Sequence, residues 1–118
     1  ELYYLQRLHY LDEKALIINH NYFLKDVVTD LTEEIAKNSI YEYLEHVLHV
    51  SIVTSKRTMT VEKMTEIDEK YLDLGDYNCL AVVSSQTYNS DGIMFEYTQS
   101  RHRPDYFRFQ DNATRRTR

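Results

Sequence analysis

The chain has 118 residues, a hydrophobic fraction of 42%, and 14 Lys+Arg against 19 Asp+Glu, for a formal net charge of −5. That length and apolar content suit a single domain with a real core. Two Gly, one Pro and one Cys exclude collagen-like and low-complexity chains, glycine-rich phosphate loops, disulfide frameworks and cysteine-rich zinc sites. No apolar run approaches the roughly 20 residues that span a bilayer. A lone thiol with no export signal predicts a cytoplasmic location.

In chain order, Leu2 to Leu11 is rich in Tyr and Leu and predicts a strand, and Ala15 to Phe23 predicts its hairpin partner across the polar break at Asp12-Glu13. A helical pattern opens at Thr29-Asp30, with Leu31, Ile35 and Ala36 on one side. It ends at Asn38-Ser39, where Ser39-Ile40-Tyr41-Glu42 reads as the capping box of a second helix carrying Tyr43, Leu44, Val47 and Leu48. Tyr41 and Tyr43 then fall on opposite sides of that helix. Val50 to Val61 is long and β-branched, a strand signal. Thr65 to Leu72 predicts a short helix stopping near Gly75. Asn78 to Tyr88 and Ile93 to Arg103 predict a second hairpin around the Asn89-Ser90-Asp91-Gly92 turn, with Phe107-Arg108-Phe109 as a last short strand. This order has few parallel crossover units and specifies an α+β fold with a mostly antiparallel sheet and helices packed on it, one domain over 1–118.

Charge is unevenly spread. Residues 101–118 hold six Arg against Asp105 and Asp111, so the first 100 residues are strongly acidic. An acidic body lacks the basic face that grips a nucleic-acid backbone. The Arg115-Arg116-Thr117-Arg118 end reads as a solvated tail.

Three groupings carry candidate chemistry. Arg7 and His9 share a strand face with Tyr3 and Leu5, either as an anion pocket or as a strand end passing into solvent. Ser39 opens a helix, where free N–H groups and the dipole attract phosphate, although Glu42 places a negative charge nearby and most such serines only cap. Glu96, Thr98, Ser100 and His102 alternate along one strand. Glu96 and His102 there can bind sugar hydroxyls, act as an acid–base pair, or simply face solvent. His46 and His49 have helical spacing but no evident third ligand, so no metal and no cofactor are expected. Cys79 reads as a core thiol.

The chain resembles the effector-binding (UTRA) domain of GntR-type, HutC-branch bacterial transcription regulators. The resemblance is carried by Arg7-Leu8-His9-Tyr10-Leu11-Asp12-Glu13, Asn38-Ser39-Ile40-Tyr41-Glu42-Tyr43-Leu44, Asp91-Gly92-Ile93-Met94-Phe95-Glu96-Tyr97 and Ser100-Arg101-His102-Arg103-Pro104-Asp105-Tyr106-Phe107. It implies a chorismate-lyase-like fold that binds a small molecule, often a phosphosugar, and performs no chemistry. It implies a homodimer, with DNA contacted by a winged helix-turn-helix domain N-terminal to this segment. By the same resemblance Arg7, His9, Ser39 and Tyr41 hold phosphate, His9 standing where the family pattern has a second arginine. Asn19, Glu96 and His102 hold the sugar, and Arg103 with Asp105 forms a structural pair beside the site. A lyase or isomerase using Glu96 and His102, and a dimerisation module with a vestigial pocket, are the competing expectations.

Overall fold

The computed structural model describes residues 1–114; the Arg115–Arg118 end lies outside the described residues. Five strands, β1 (Leu2–Leu11), β2 (Lys14–Leu24), β3 (Ile52–Lys63), β4 (Cys79–Asn89) and β5 (Met94–His102), form one antiparallel sheet in the order β1-β2-β5-β4-β3. The connection from β2 to β3 carries α1 (Glu33–Lys37) and α2 (Ile40–Glu42), which runs straight into a π turn at Tyr43–Val47. The connection from β3 to β4 carries α3 (Glu66–Tyr71).

Because side chains alternate across a strand, the sheet builds a core on each face. On one, Phe23 and Phe95 pack with Val28, Ala36, Ile40 and Leu44 from the α1–α2 arm. On the other, Ile18, Leu80 and Val82 pack with Leu72 and Leu74 at the end of α3. Phe95 breaks the alternation: Thr87 pairs with Glu96 and Tyr88 with Met94, so Phe95 is the extra residue of a bulge. Phe95 and its neighbour Glu96 are therefore both buried, at 1% and 2% exposure.

Two helical expectations change at their ends. The first helix starts at Glu33, not at Thr29-Asp30, because Asp30 is left-handed (φ 56°) and Thr32 supplies the cap, accepting from the Ile35 N–H at 3.2 Å. Ser39 accepts from the Glu42 N–H at 3.2 Å, which is half of the expected box. Both halves close instead at Thr65 and Asp68. The strand expected at Phe107–Phe109 does not form. Pro104–Tyr106 is a 3-10 turn, and the Phe107 ring meets the His102 ring edge-on at 5.4 Å between centroids. Neither β2 nor β4 has a free edge beside β5 on which a further strand could pair.

The β1–β2 hairpin turns through two residues with positive φ, Asp12 (49°) and Glu13 (66°), the geometry that glycine and asparagine favour. A left-handed conformation costs a residue with a Cβ about 1–2 kcal/mol. Glu13→Gly is therefore expected to stabilise the fold by up to about 1 kcal/mol, after the greater chain entropy of glycine is offset. A melting temperature a few degrees higher is the expected reading; a lower one contradicts it.

Candidate functional site

The helical face of the sheet carries a cavity of about 320 Å³. Its floor is one row of side chains after another across the three strands nearest the α1–α2 arm. Arg7 on β1 pairs with Asn19 on β2, and Asn19 with Ser100 on β5. In the next row Asn21 pairs with Thr98, and in the next Phe23 pairs with Glu96. The wall is the Asn38–Tyr41 segment where α1 ends and α2 begins.

Arg7 is tied to that wall. Its Nη2 donates to the Ala36 carbonyl oxygen at 2.7 Å, which aims the guanidinium while leaving further N–H groups for a ligand. Beside it, Tyr43 N–H bonds the Ser39 carbonyl and Glu42 N–H bonds the Ser39 hydroxyl. The Ile40 and Tyr41 N–H groups, at the helix start, have no partner within the helix. Glu42, the charge that would oppose an anion, does not line this cavity; it lines an adjoining groove that shares Asn38 and Ser39 with it.

Acceptors lie at both ends, Glu96 opposite Arg7 and Asn19 beside it. Glu96 receives the Tyr41 hydroxyl at 2.7 Å. Burial pushes its carboxyl above the usual range, against the downward pull of bonds from Tyr41, Asn21 and Thr87. Burial and the Glu96 bond together push the Tyr41 phenol well up. The Asn19 amide donates to His9 Nε2 at 2.8 Å, and its Oδ1 is buried with no partner among the described residues. That acceptor lines the cavity and suits a ligand hydroxyl.

Of the residues singled out from sequence, Arg7, Asn19, Ser39, Tyr41 and Glu96 converge on this cavity, and His9 and His102 do not line it. His9 is exposed and turned to Asn19. His102 Nε2 meets the Ser100 hydroxyl at 2.8 Å, so it reaches the cavity only through Ser100. Arg103 and Asp105 form a two-pronged ion pair (2.7 and 2.8 Å) outside the cavity. Arg103 also donates to the Asp73 carbonyl and lies over the Tyr77 and Tyr106 rings, stapling the 3-10 turn to the loop after α3. Sequence reading missed Asn21 and Asn38. Asn21 was recoverable, since two-residue periodicity places it on the same face as Asn19.

Two imidazoles predict the pH response of the fold. Burial lowers His20 below its ordinary 6.5, helped by Arg101, and burial lowers His102, helped by His9. The unfolded chain then binds more protons, so stability is full above about pH 6.5 and falls as the pH drops toward the folded values. The raised carboxyl of Glu96 acts with the opposite sign. Melting temperatures from pH 7.5 to 5 are thus expected to fall more for the wild type than for the His20→Gln, His102→Gln double variant. Parallel curves contradict this.

The fold and the cavity define a small-molecule-binding α+β domain. The UTRA domain family matches residues 1–108, and the chain belongs to it. Among characterised relatives, the HTH-type transcriptional regulator TreR of Bacillus subtilis is 41% identical over 105 residues, covering 89% of this chain and 44% of TreR. The Bacillus subtilis regulator GmuR is 26% identical, covering 90% of this chain and 45% of GmuR. The chain thus spans about half the length of these relatives. The structure of the B. subtilis trehalose repressor (TreR) effector binding domain superposes with a TM-score of 0.86 at 38% identity, covering 98% of this chain and 81% of that one. A GntR-family regulator from Bacillus cereus shares the fold at a TM-score of 0.87 and 24% identity, over 96% of this chain and 79% of its own. This is an effector-binding domain of the TreR-related, GntR-family kind, and its relatives are transcriptional regulators, not enzymes. No helix among the described residues is long and apolar enough to cross a membrane.

Proposed function

We propose that this domain senses trehalose 6-phosphate for a cytoplasmic transcriptional repressor. The observation that carries the reading is the convergence of Arg7 and the Ser39 helix start on one cavity that has Asn19 beside Arg7 and Glu96 at its far end. The cationic end takes the phosphate: Arg7 supplies a guanidinium fork, Ser39 its hydroxyl, and Ile40 and Tyr41 their backbone N–H groups. The Tyr41 hydroxyl joins the phosphate shell by exchanging Glu96 for a phosphate oxygen. That exchange frees Glu96 to accept sugar hydroxyls, while Asn19 Oδ1 accepts one nearer the phosphate. His9 and His102 serve at the edge, His9 by fixing the Asn19 amide and His102 by orienting the Ser100 hydroxyl. The related B. subtilis protein is a trehalose repressor, which supplies trehalose as the sugar class.

The remainder of the repressor follows the family pattern: a DNA-binding domain N-terminal to this segment, and two copies paired through their sheets. β3 suits such pairing, being a long edge strand with exposed Val53, Met59 and Val61. Effector binding alters DNA affinity only by its differential affinity for two arrangements of the dimer.

Calorimetry with trehalose 6-phosphate and with trehalose tests the ligand. Binding of the phosphate ester, with at least tenfold weaker binding of the free sugar, is expected. Equal affinities, or no heat from either, would refute the assignment.

A further inference from the structure

The floor of the cavity continues past β5. On the same sheet face Thr98 pairs with Ser85 of β4, and Ser85 with Arg57 of β3. One row along, Glu96 pairs with Thr87 and Thr87 with Ser55. The Ser55 hydroxyl lies 3.3 Å from that of Ser85 and 3.4 Å from that of Thr87, so the three form one connected hydroxyl cluster. Adjacent strands lie about 4.8 Å apart, so Arg57 stands about 10 Å beyond Thr98, within reach of a side chain turned back along the floor. Ser55 and Arg57 are exposed, and Arg57 makes no ion pair among the described residues. The register sets Arg57 on the same sheet face as Thr98 and the cavity floor.

We propose that Ser55 and Ser85, backed by the buried Thr87 and with Arg57 at their outer edge, form a second sugar subsite that takes the unphosphorylated ring of a disaccharide phosphate. The inference rests on the phosphosugar reading of the main cavity. A phosphate and its own ring occupy the span from Arg7 to Glu96. The next two strands then offer what a second polyol ring requires: hydroxyls that both donate and accept, and a planar cation with several donors. The same face carries Val83 and Met59 one row along, an apolar border against which a ring face can pack. The shelf, by this reading, makes the domain select a disaccharide phosphate over a hexose phosphate.

Calorimetry with trehalose 6-phosphate and glucose 6-phosphate tests this on the wild type and on Arg57→Ala and Ser85→Val, with circular dichroism and melting curves to establish folding. The wild type is expected to prefer the disaccharide at least tenfold. Each variant is expected to lose about tenfold for trehalose 6-phosphate and nothing for glucose 6-phosphate. An unchanged ratio in both variants overturns the subsite. Equal losses for both sugars overturn it too, because the shelf would then only shape the main cavity. If the wild type binds glucose 6-phosphate but shows no preference for the disaccharide, the subsite fails while the phosphate site stands. If neither ester binds the wild type, the parent reading fails and takes the subsite with it.

Discussion

Arg7→Ala is expected to weaken trehalose 6-phosphate binding by about two orders of magnitude while leaving the melting temperature nearly unchanged. The residue is exposed and its one internal bond, to the Ala36 carbonyl, replaces a bond to water. Its loss therefore costs the fold little. Against a phosphate the same side chain contributes charge-assisted bonds worth about 1.5–3 kcal/mol each. Two such bonds, less the hydration they displace, come to about 3 kcal/mol, or roughly a hundredfold at 1.4 kcal/mol per decade. Arg7→Lys separates charge from geometry, since lysine keeps the charge but loses both the fork and the anchor at Ala36. An intermediate loss, about tenfold, is expected by calorimetry. His9→Ala is expected to cost far less than Arg7→Ala, because the His9 ring accepts from Asn19 and does not line the cavity. Equal affinity of Arg7→Ala and wild type would move the phosphate elsewhere.

The second large effect concerns stability. Asp68 is fully buried and Arg101 is 4% exposed. Arg101 Nε donates to both Asp68 oxygens at 2.9 and 3.1 Å, and its Nη2 donates to Oδ2 at 3.0 Å. Its Nη1 reaches Glu62 at 3.0 Å and Gln99 at 3.1 Å. Burial opposes the Arg101 charge, but the bonds to Asp68 and Glu62 outweigh it and hold the guanidinium above its ordinary value. Asp68→Ala leaves a buried cation without its main partner, at about 3–5 kcal/mol. It also opens the α3 capping box, in which Asp68 accepts from the Thr65 N–H at 2.9 Å, at about 1 kcal/mol more. Glu62→Ala removes a carboxylate that is 42% exposed and is expected to cost no more than about 1 kcal/mol. The paired replacement Asp68→Leu, Arg101→Met is expected to recover much of the loss, because the burial penalty of both charges disappears together. Urea titrations of the variants measure these differences. Asp68→Ala and Glu62→Ala with equal midpoints would contradict the account.

The asymmetry between what the chain reveals and what it conceals is physical. Strands are legible because alternate residues face opposite sides, which β2 shows over the buried Leu16, Ile18 and His20; on β5 the Phe95 bulge breaks it. Helix ends are less so: the Thr32 and Thr65 caps are local, but the left-handed Asp30 that delays α1 has no sequence mark beyond its residue type. The resemblance put Arg7, His9, Ser39, Tyr41, Asn19, Glu96 and His102 on one site; strand register brings Arg7, Asn19 and Glu96 to one cavity under the α2 start with Ser39 and Tyr41, and leaves His9 and His102 outside its lining. The orientation of His9 depends on Asn19 across the hairpin, and that pairing needs the register, not the local sequence. Arg101 was the hardest to read. It directly follows Gln99 and Ser100, which line the cavity, yet it points the other way and finds its partner on α3, far along the chain. The last strand was expected from the alternation of Phe107, Arg108 and Phe109, which is blind to whether a sheet edge is free to receive it.

Alternation along the strands also separates two kinds of evolutionary freedom. On β5 the even-numbered residues from Glu96 to Ser100 meet the ligand cavity, while Arg101 belongs to the opposite face and to the anchoring of α3. On β4 and β3 the odd-numbered Ser85, Thr87, Ser55 and Arg57 share the ligand face. A library that varies a single parity on each strand can therefore explore new sugars while the ionic and apolar contacts beneath the sheet stay intact.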